Sequence, residues 1–216
     1  MDRDTFLARV TRGVQNASLP DPPRVPEELP AMAEVDLIEL FRARAQSVNT
    51  VVHGPVTRHG TPRAVVGIAA GHDIGSFMVW DDLPASGVSS ALSTAGYDRL
   101  DSEIGHDDPD RLLEVAQADL GITGSDFALA ESGSVVLSHG AGRGRVVSLI
   151  PEIHVALVTT ASIHRNLVHW AHEFPGNAAE TANLVIVTGP SRTGDIELEL
   201  TLGVHGPRHM HVVLIK

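Results

Sequence analysis

Gly121-Ile122-Thr123-Gly124-Ser125-Asp126-Phe127-Ala128-Leu129-Ala130-Glu131-Ser132-Gly133-Ser134, running on into Val135-Val136-Leu137, sets short apolar runs against turns of glycine, hydroxyls and acids. The runs at 121–123, 127–130 and 135–137 are short and bounded by turn residues, so they read as strands. Acids and hydroxyls at strand ends read as a site, because ligands of open α/β sheets gather at the carboxyl ends of the strands.

Outward from this stretch, strand and helix patterns alternate. Asp108-Pro109 opens a helix through Leu112, Leu113, Val115 and Ala116, and Glu152 to Val158 reads as a strand. A helix is expected from about Ser162 to Glu173, then strands at Leu184 to Val187 and His209 to Ile215. Upstream, Val65 to Ala69 and Phe77 to Trp80 read as strands around the turn Gly71-His72-Asp73. Such interleaving predicts an α/β layer architecture, a single domain with a largely parallel sheet. Ahead of it, Phe6, Leu7, Val10 and Val14 fall on one face of a short amphipathic helix, and a second helical pattern runs from Ala33 to Ser47. Between them Pro20, Pro22, Pro23, Pro26 and Pro30 predict an extended arm. The expected division is an N-terminal helical and proline-rich arm over 1–47 and an α/β domain over 48–216.

Composition narrows the function classes. The net charge of −11 argues against a grip on nucleic-acid phosphates. No apolar run approaches membrane-spanning length, and the opening residues lack a secretory h-region, so the expectation is a cytoplasmic protein with no membrane insertion. With no cysteine the chain has no thiolate to hold an iron–sulfur cluster, and any such chemistry belongs to a partner. The 12 histidines raise the question of metal, with His205, His209 and His211 close in sequence and His169 and His172 one helical step apart. There is no His-Glu-x-x-His arrangement, and no metal is expected.

Four segments carry candidate chemistry. In Thr123-Gly124-Ser125-Asp126 the same residue types serve a tight turn or a ligand. Glu131, beside Ser132 at a strand end, is a candidate general acid, general base or nucleophile. Ser138-His139-Gly140-Ala141-Gly142-Arg143-Gly144-Arg145 is a glycine-rich loop with two arginines, read either as an anion contact or as a solvated turn. Its spacing is G-x-G-x-G, which is not the dinucleotide fingerprint. Thr188-Gly189-Pro190-Ser191-Arg192-Thr193-Gly194-Asp195-Ile196-Glu197, followed by Gly203-Val204-His205-Gly206-Pro207, suits a helix start capped by Ser191, with further acids close by.

The Gly-Pro-Ser turn at 189–191, the Asp-Ile-Glu at 195–197 and the basic glycine loop together resemble the lactate utilisation (LUD) domain family, and within it the lactate utilisation protein C subfamily. The resemblance implies the NagB/RpiA/CoA-transferase-like fold shared by glucosamine-phosphate deaminase, ribose-phosphate isomerase and the CoA transferases. It favours Arg145 as the anion contact and makes Glu131 and Asp195 the catalytic candidates. Thr123, Gly124, Asp126, Ser132, Ser191, Glu197 and His205 are then expected to bind ligand in one cleft. It further implies a component of a bacterial L-lactate utilisation system that oxidises lactate to pyruvate with iron–sulfur partner subunits, which carry the clusters while this chain binds no cofactor. The residues by themselves support only a carboxylate-rich, arginine-containing cleft for a small anionic or phosphorylated metabolite. A stand-alone isomerase, deaminase or CoA-transferase-like enzyme and a non-catalytic adaptor subunit remain as alternatives.

Overall fold

The computed structural model of the chain describes residues 2–15, 34–102, 109–174, 183–194 and 200–216. The chain divides into two units, 1–31 and 32–216. In the first, α1 (Arg3–Gln15) leaves Phe6, Leu7 and Val10 about half exposed.

The second unit is a mixed α/β domain. Its main sheet is built from β1 (Thr50–Val56), β2 (Ser76–Val79), β3 (Asp98–Arg99), β4 (Leu120–Thr123), β7 (Ile153–Thr159) and β12 (His209–Ile215). The order is β1-β12-β7-β4-β2-β3 and every pairing is parallel. A smaller sheet holds β5 (Phe127–Leu129), β6 (Ser134–Ser138), β8 (Ile163–His164) and β9 (Leu184–Val187) in the order β8-β5-β6-β9, and it is mixed. β10 (Arg192–Gly194) pairs antiparallel with β11 (Leu200–Leu202).

Helices cover both faces of the main sheet. On one, α3 (Thr61–Ala70) and α4 (Val88–Thr94) set Val65, Ile68, Val88 and Leu92 against Phe77, Val155 and Val213. On the other, α2 (Leu37–Ser47), α5 (Pro109–Val115) and α6 (Val146–Leu149) bring Phe41, Ala45, Val115 and Val147 to Met78, Ala156 and Val212. The alternation of these residues along each strand is the period of two of a sheet buried on both sides. Burial of Phe41 and Ala45 places α2 in this core, although the sequence division groups it with the arm. Its start is fixed by Asp36, which accepts from the Ile38 and Glu39 N–H groups.

Three local expectations change. Val65 to Ala69 is helix, not strand: Thr61-Pro62 starts α3, and the buried Val65, Ile68 and Ala69 follow the i, i+3, i+4 stripe. The helix expected from Ser162 begins later, because Ile163–His164 first pairs with β5 and Asn166 then caps α7 (Leu167–Glu173). Ser191 starts no helix; the chain enters β10 directly after it.

Candidate functional site

Chain direction creates the site. After β2 the chain passes to α4 on one face, and after the neighbouring β4 it passes through β5 and β6 to α6 on the other. Loops that leave adjacent parallel strands toward opposite faces open a crevice at their carboxyl ends, where α/β proteins bind ligands. Asp81 and Asp82 follow β2, and Gly124, Ser125 and Asp126 follow β4.

The glycine-rich loop after β6 is stitched onto this crevice. Asp81 N–H donates to Gly142 O at 3.1 Å, and Trp80 Nε1 donates to Gly144 O at 3.0 Å. Gly142, at φ +70°, takes a backbone conformation that residues with a Cβ rarely adopt, and a Cβ there would stand 3.1 Å from the Asp81 carboxylate. Arg143 then reaches inward: Nη1 donates to Asp126 Oδ1 at 2.8 Å, Nε donates to Asp82 Oδ2 at 2.7 Å, and the guanidinium carbon stands 5.4 Å from the centre of the Trp80 ring. Hydrogen bonds from Arg143 to Asp82 and then to Asp126 raise its already high pKa against the effect of burial. The other Asp126 oxygen accepts from the Ser138 backbone N–H and hydroxyl, both at 2.6 Å. Thr123, buried behind the crevice, hydrogen-bonds His154 Nε2 at 2.9 Å.

Asp126, Ser138, His139 and Arg143 form the polar wall of a cavity of ≈ 590 Å³, whose apolar wall includes Phe127, Trp170 and Phe174. Phe127 and Trp170 stack with centroids 4.2 Å apart, and His164 meets Phe174 edge-on. His139 Nδ1 lies 2.9 Å from Asn183 Oδ1, which makes Nδ1 the protonated nitrogen; Nε2 is buried with no hydrogen-bond partner. Burial lowers the His139 pKa and keeps the ring neutral. The cavity thus sets an oriented carboxylate and a histidine ring against an aromatic face. It is no vacant anion hole, since Asp82 and Asp126 already occupy the Arg143 fork.

The structure distributes the sequence-derived candidates over three places. Thr123, Gly124 and Asp126 are at the crevice, with Gly124 against Pro84 and the Asp82 carbonyl. Glu131 and Ser132 lie at the other end of β5 from Asp126. There Glu131 accepts from Arg165 Nε at 2.7 Å and Asn166 Nδ2 at 2.8 Å, and these bonds, Asn166 first, hold its pKa below the ordinary carboxylate value. Ser132 accepts from Ser134, which also bonds Thr188. Gly133, at φ +67°, is pressed so close to α2 that a Cβ would stand 2.3 Å from Ala45 N. Ser191 and His205 form a third group, in which His205 N–H donates to Ser191 Oγ at 3.3 Å and Ser191 N–H donates to Pro207 O at 2.8 Å. That turn leads into the amino end of β12. It borders a pocket of ≈ 460 Å³ lined by Asp119, Glu152 and Arg208, each just before a strand and so at the sheet edge away from Asp126. Arg145 is exposed at the start of α6. Asp195 and Glu197 lie outside the described residues.

Sequence reasoning missed Arg143, Asp82 and His139. The available signal was Asp81-Asp82 directly after a strand, opposite a loop with two arginines. Among the described residues, no group of three or more His, Asp or Glu is arranged to hold a metal ion, and no helix is long and apolar enough to cross a membrane.

The LUD domain model matches residues 38–215. The chain is 31% identical over 220 residues to lactate utilization protein C of Halalkalibacterium halodurans, covering 95% of this chain and 94% of that protein. It is 27% identical over 219 residues to lactate utilization protein C of Macrococcus caseolyticus, covering 95% and 92%. Among solved structures, a DUF162 family protein from Deinococcus radiodurans is similar with a TM-score of 0.62 and 25% identity, over 83% of this chain and 96% of that one.

Proposed function

The chain belongs to the LUD domain family, and from that premise we propose that it is a component of a bacterial L-lactate utilisation system, acting in the cytoplasm in the oxidation of lactate to pyruvate. The observation that carries this reading is near end-to-end similarity to proteins named lactate utilization protein C. Oxidation of lactate to pyruvate releases two electrons and two protons. A chain without cysteine leaves the electrons to iron–sulfur partner proteins, and this chain contributes the crevice of Asp126, Arg143 and His139. A ligand carboxylate reaches Arg143 by replacing one of its two aspartates.

A second reading, the non-catalytic adaptor, is favoured over a stand-alone enzyme by one feature. Both Glu131 oxygens are engaged in hydrogen bonds, which suits an ionised structural group better than a nucleophile or a general acid. The test is genetic and then biochemical. Deleting the gene should abolish growth on L-lactate but not on pyruvate, and the intact gene should restore it. Undiminished growth of the deletion strain on L-lactate would overturn the reading. Lactate-dependent dye reduction by the partner proteins without this chain would place it as an adaptor, and dependence on the chain would place it in catalysis.

A further inference from the structure

At the far edge of the main sheet from Asp126, three histidines from separate elements meet. His211 of β12 has both ring nitrogens engaged by other imidazoles: His53 Nε2 of β1 lies 3.0 Å from its Nδ1, and His72 Nε2, from the turn after α3, lies 3.2 Å from its Nε2. His53 and His211 stack, and His72 meets His211 edge-on. His211 is buried, whereas His72 is half-exposed and opens the group to solvent. The cluster lies outside the crevice and takes no part in the function proposed above.

An N–H···N bond between imidazoles accounts for 3.2 Å, but so does another arrangement. Zinc binds imidazole nitrogen at about 2.0–2.1 Å, so two nitrogens on one tetrahedral ion stand roughly 3.3 Å apart. We propose that His72 Nε2 and His211 Nε2 form a two-histidine chelate for a divalent transition-metal ion, with His53 holding His211 in the ligating tautomer. Imidazole suits zinc, nickel and copper, whereas magnesium and calcium prefer oxygen. For both Nε2 atoms to ligate, His211 carries its proton on Nδ1 and donates it to His53 Nε2, the outer hydrogen bond that orients a metal-binding imidazole. No third side chain of the described residues stands in ligating position, so water completes the shell. The ion ties the turn after α3 to β12 and, through His53, to the edge strand β1.

The test is titration of tag-free protein with ZnCl2 in a calorimeter, in two buffers of different ionisation enthalpy. One saturable site per chain is expected, with an apparent heat that differs between the buffers when a proton leaves the imidazoles. His72→Gln, on a half-exposed turn, should keep the fold and weaken binding at least about tenfold, and His53→Gln should weaken it about 10–100-fold. His205→Gln, outside the cluster, should bind like the unaltered protein. Equal affinity of His72→Gln and the unaltered protein, or the lack of a saturable one-to-one phase, overturns the proposal. These outcomes are independent of growth on lactate.

Discussion

Arg143 and Arg145 are two residues apart on one loop, yet their environments differ in kind. Arg143 is gripped by Asp82 and Asp126 and lies at the face of Trp80, while Arg145 is exposed. Arg143→Ala leaves two carboxylates facing each other without a cation. It should cost about 1–2 kcal/mol in urea unfolding, between the values for an exposed pair and a buried one, and should abolish complementation on L-lactate. Arg145→Ala should change neither measurement. Glu131→Gln should also preserve growth on lactate, since the carboxylate serves Arg165 and Asn166. A loss of growth with unchanged stability would return Glu131 to a chemical role. Residue types identified both loops as polar and functional in character, but not which arginine turns inward. That choice depends on Asp82, 61 residues earlier in the chain, and on the positive φ of Gly142.

The packing of α6 on β4 depends on one missing atom. A Cβ at Gly121 would stand 1.8 Å from Val147 O, so helix and strand touch backbone to backbone. Gly121→Ala must push α6, and with it the loop that carries Arg143, off the sheet. The expected cost is about 3 kcal/mol or more, read as a large drop in Tm or loss of folded protein. Gly67→Ala is the counterpart: the site is helical, exposed and empty within 4 Å, and the change should stabilise by about 0.5–1 kcal/mol. The elements were legible where the pattern was long or bounded by clear turn residues, as in 121–137 and 209–215. They were not legible at 65–69, where a five-residue apolar run fits either period and only Thr61-Pro62 decides for helix. The pairing of Ile163–His164 with β5 is a tertiary contact that no local pattern carries.

Across the molecule, buried imidazoles set the response to acid. Burial, then His139 and His211, pushes His154 down to about 3, and burial, then His53, His72 and His209, pushes His211 down to about 4. A folded-state pKa below the unfolded value of 6.5 means that folding excludes a proton. The stability is fully present above about pH 6.5 and falls as the pH drops toward the folded values. By pH 5 the loss should be ~2 kcal/mol for each of the two groups, seen as a falling urea midpoint between pH 7 and 5 with proton uptake on unfolding. A flat profile over that range would contradict the burial of these rings. The parallel α/β architecture was readable from alternation alone. The strand order was not, because it places the last strand, β12, between the first, β1, and β7.

That order bears on how the protein is made. A nascent chain that has emerged only as far as Arg208 holds β7, β4, β2 and β3 as a sheet whose β7 edge is open, while β1 waits with no strand beside it. Parallel pairing over such sequence distance is slow, and an open edge invites association with other chains. The emergence of seven residues, His209–Ile215, joins β1 to the sheet and closes both faces of the core at once. Ribosome-arrested chains ending before 209 should therefore be digested readily by protease and retained by chaperones. Chains tethered by a linker beyond 216 should resist digestion.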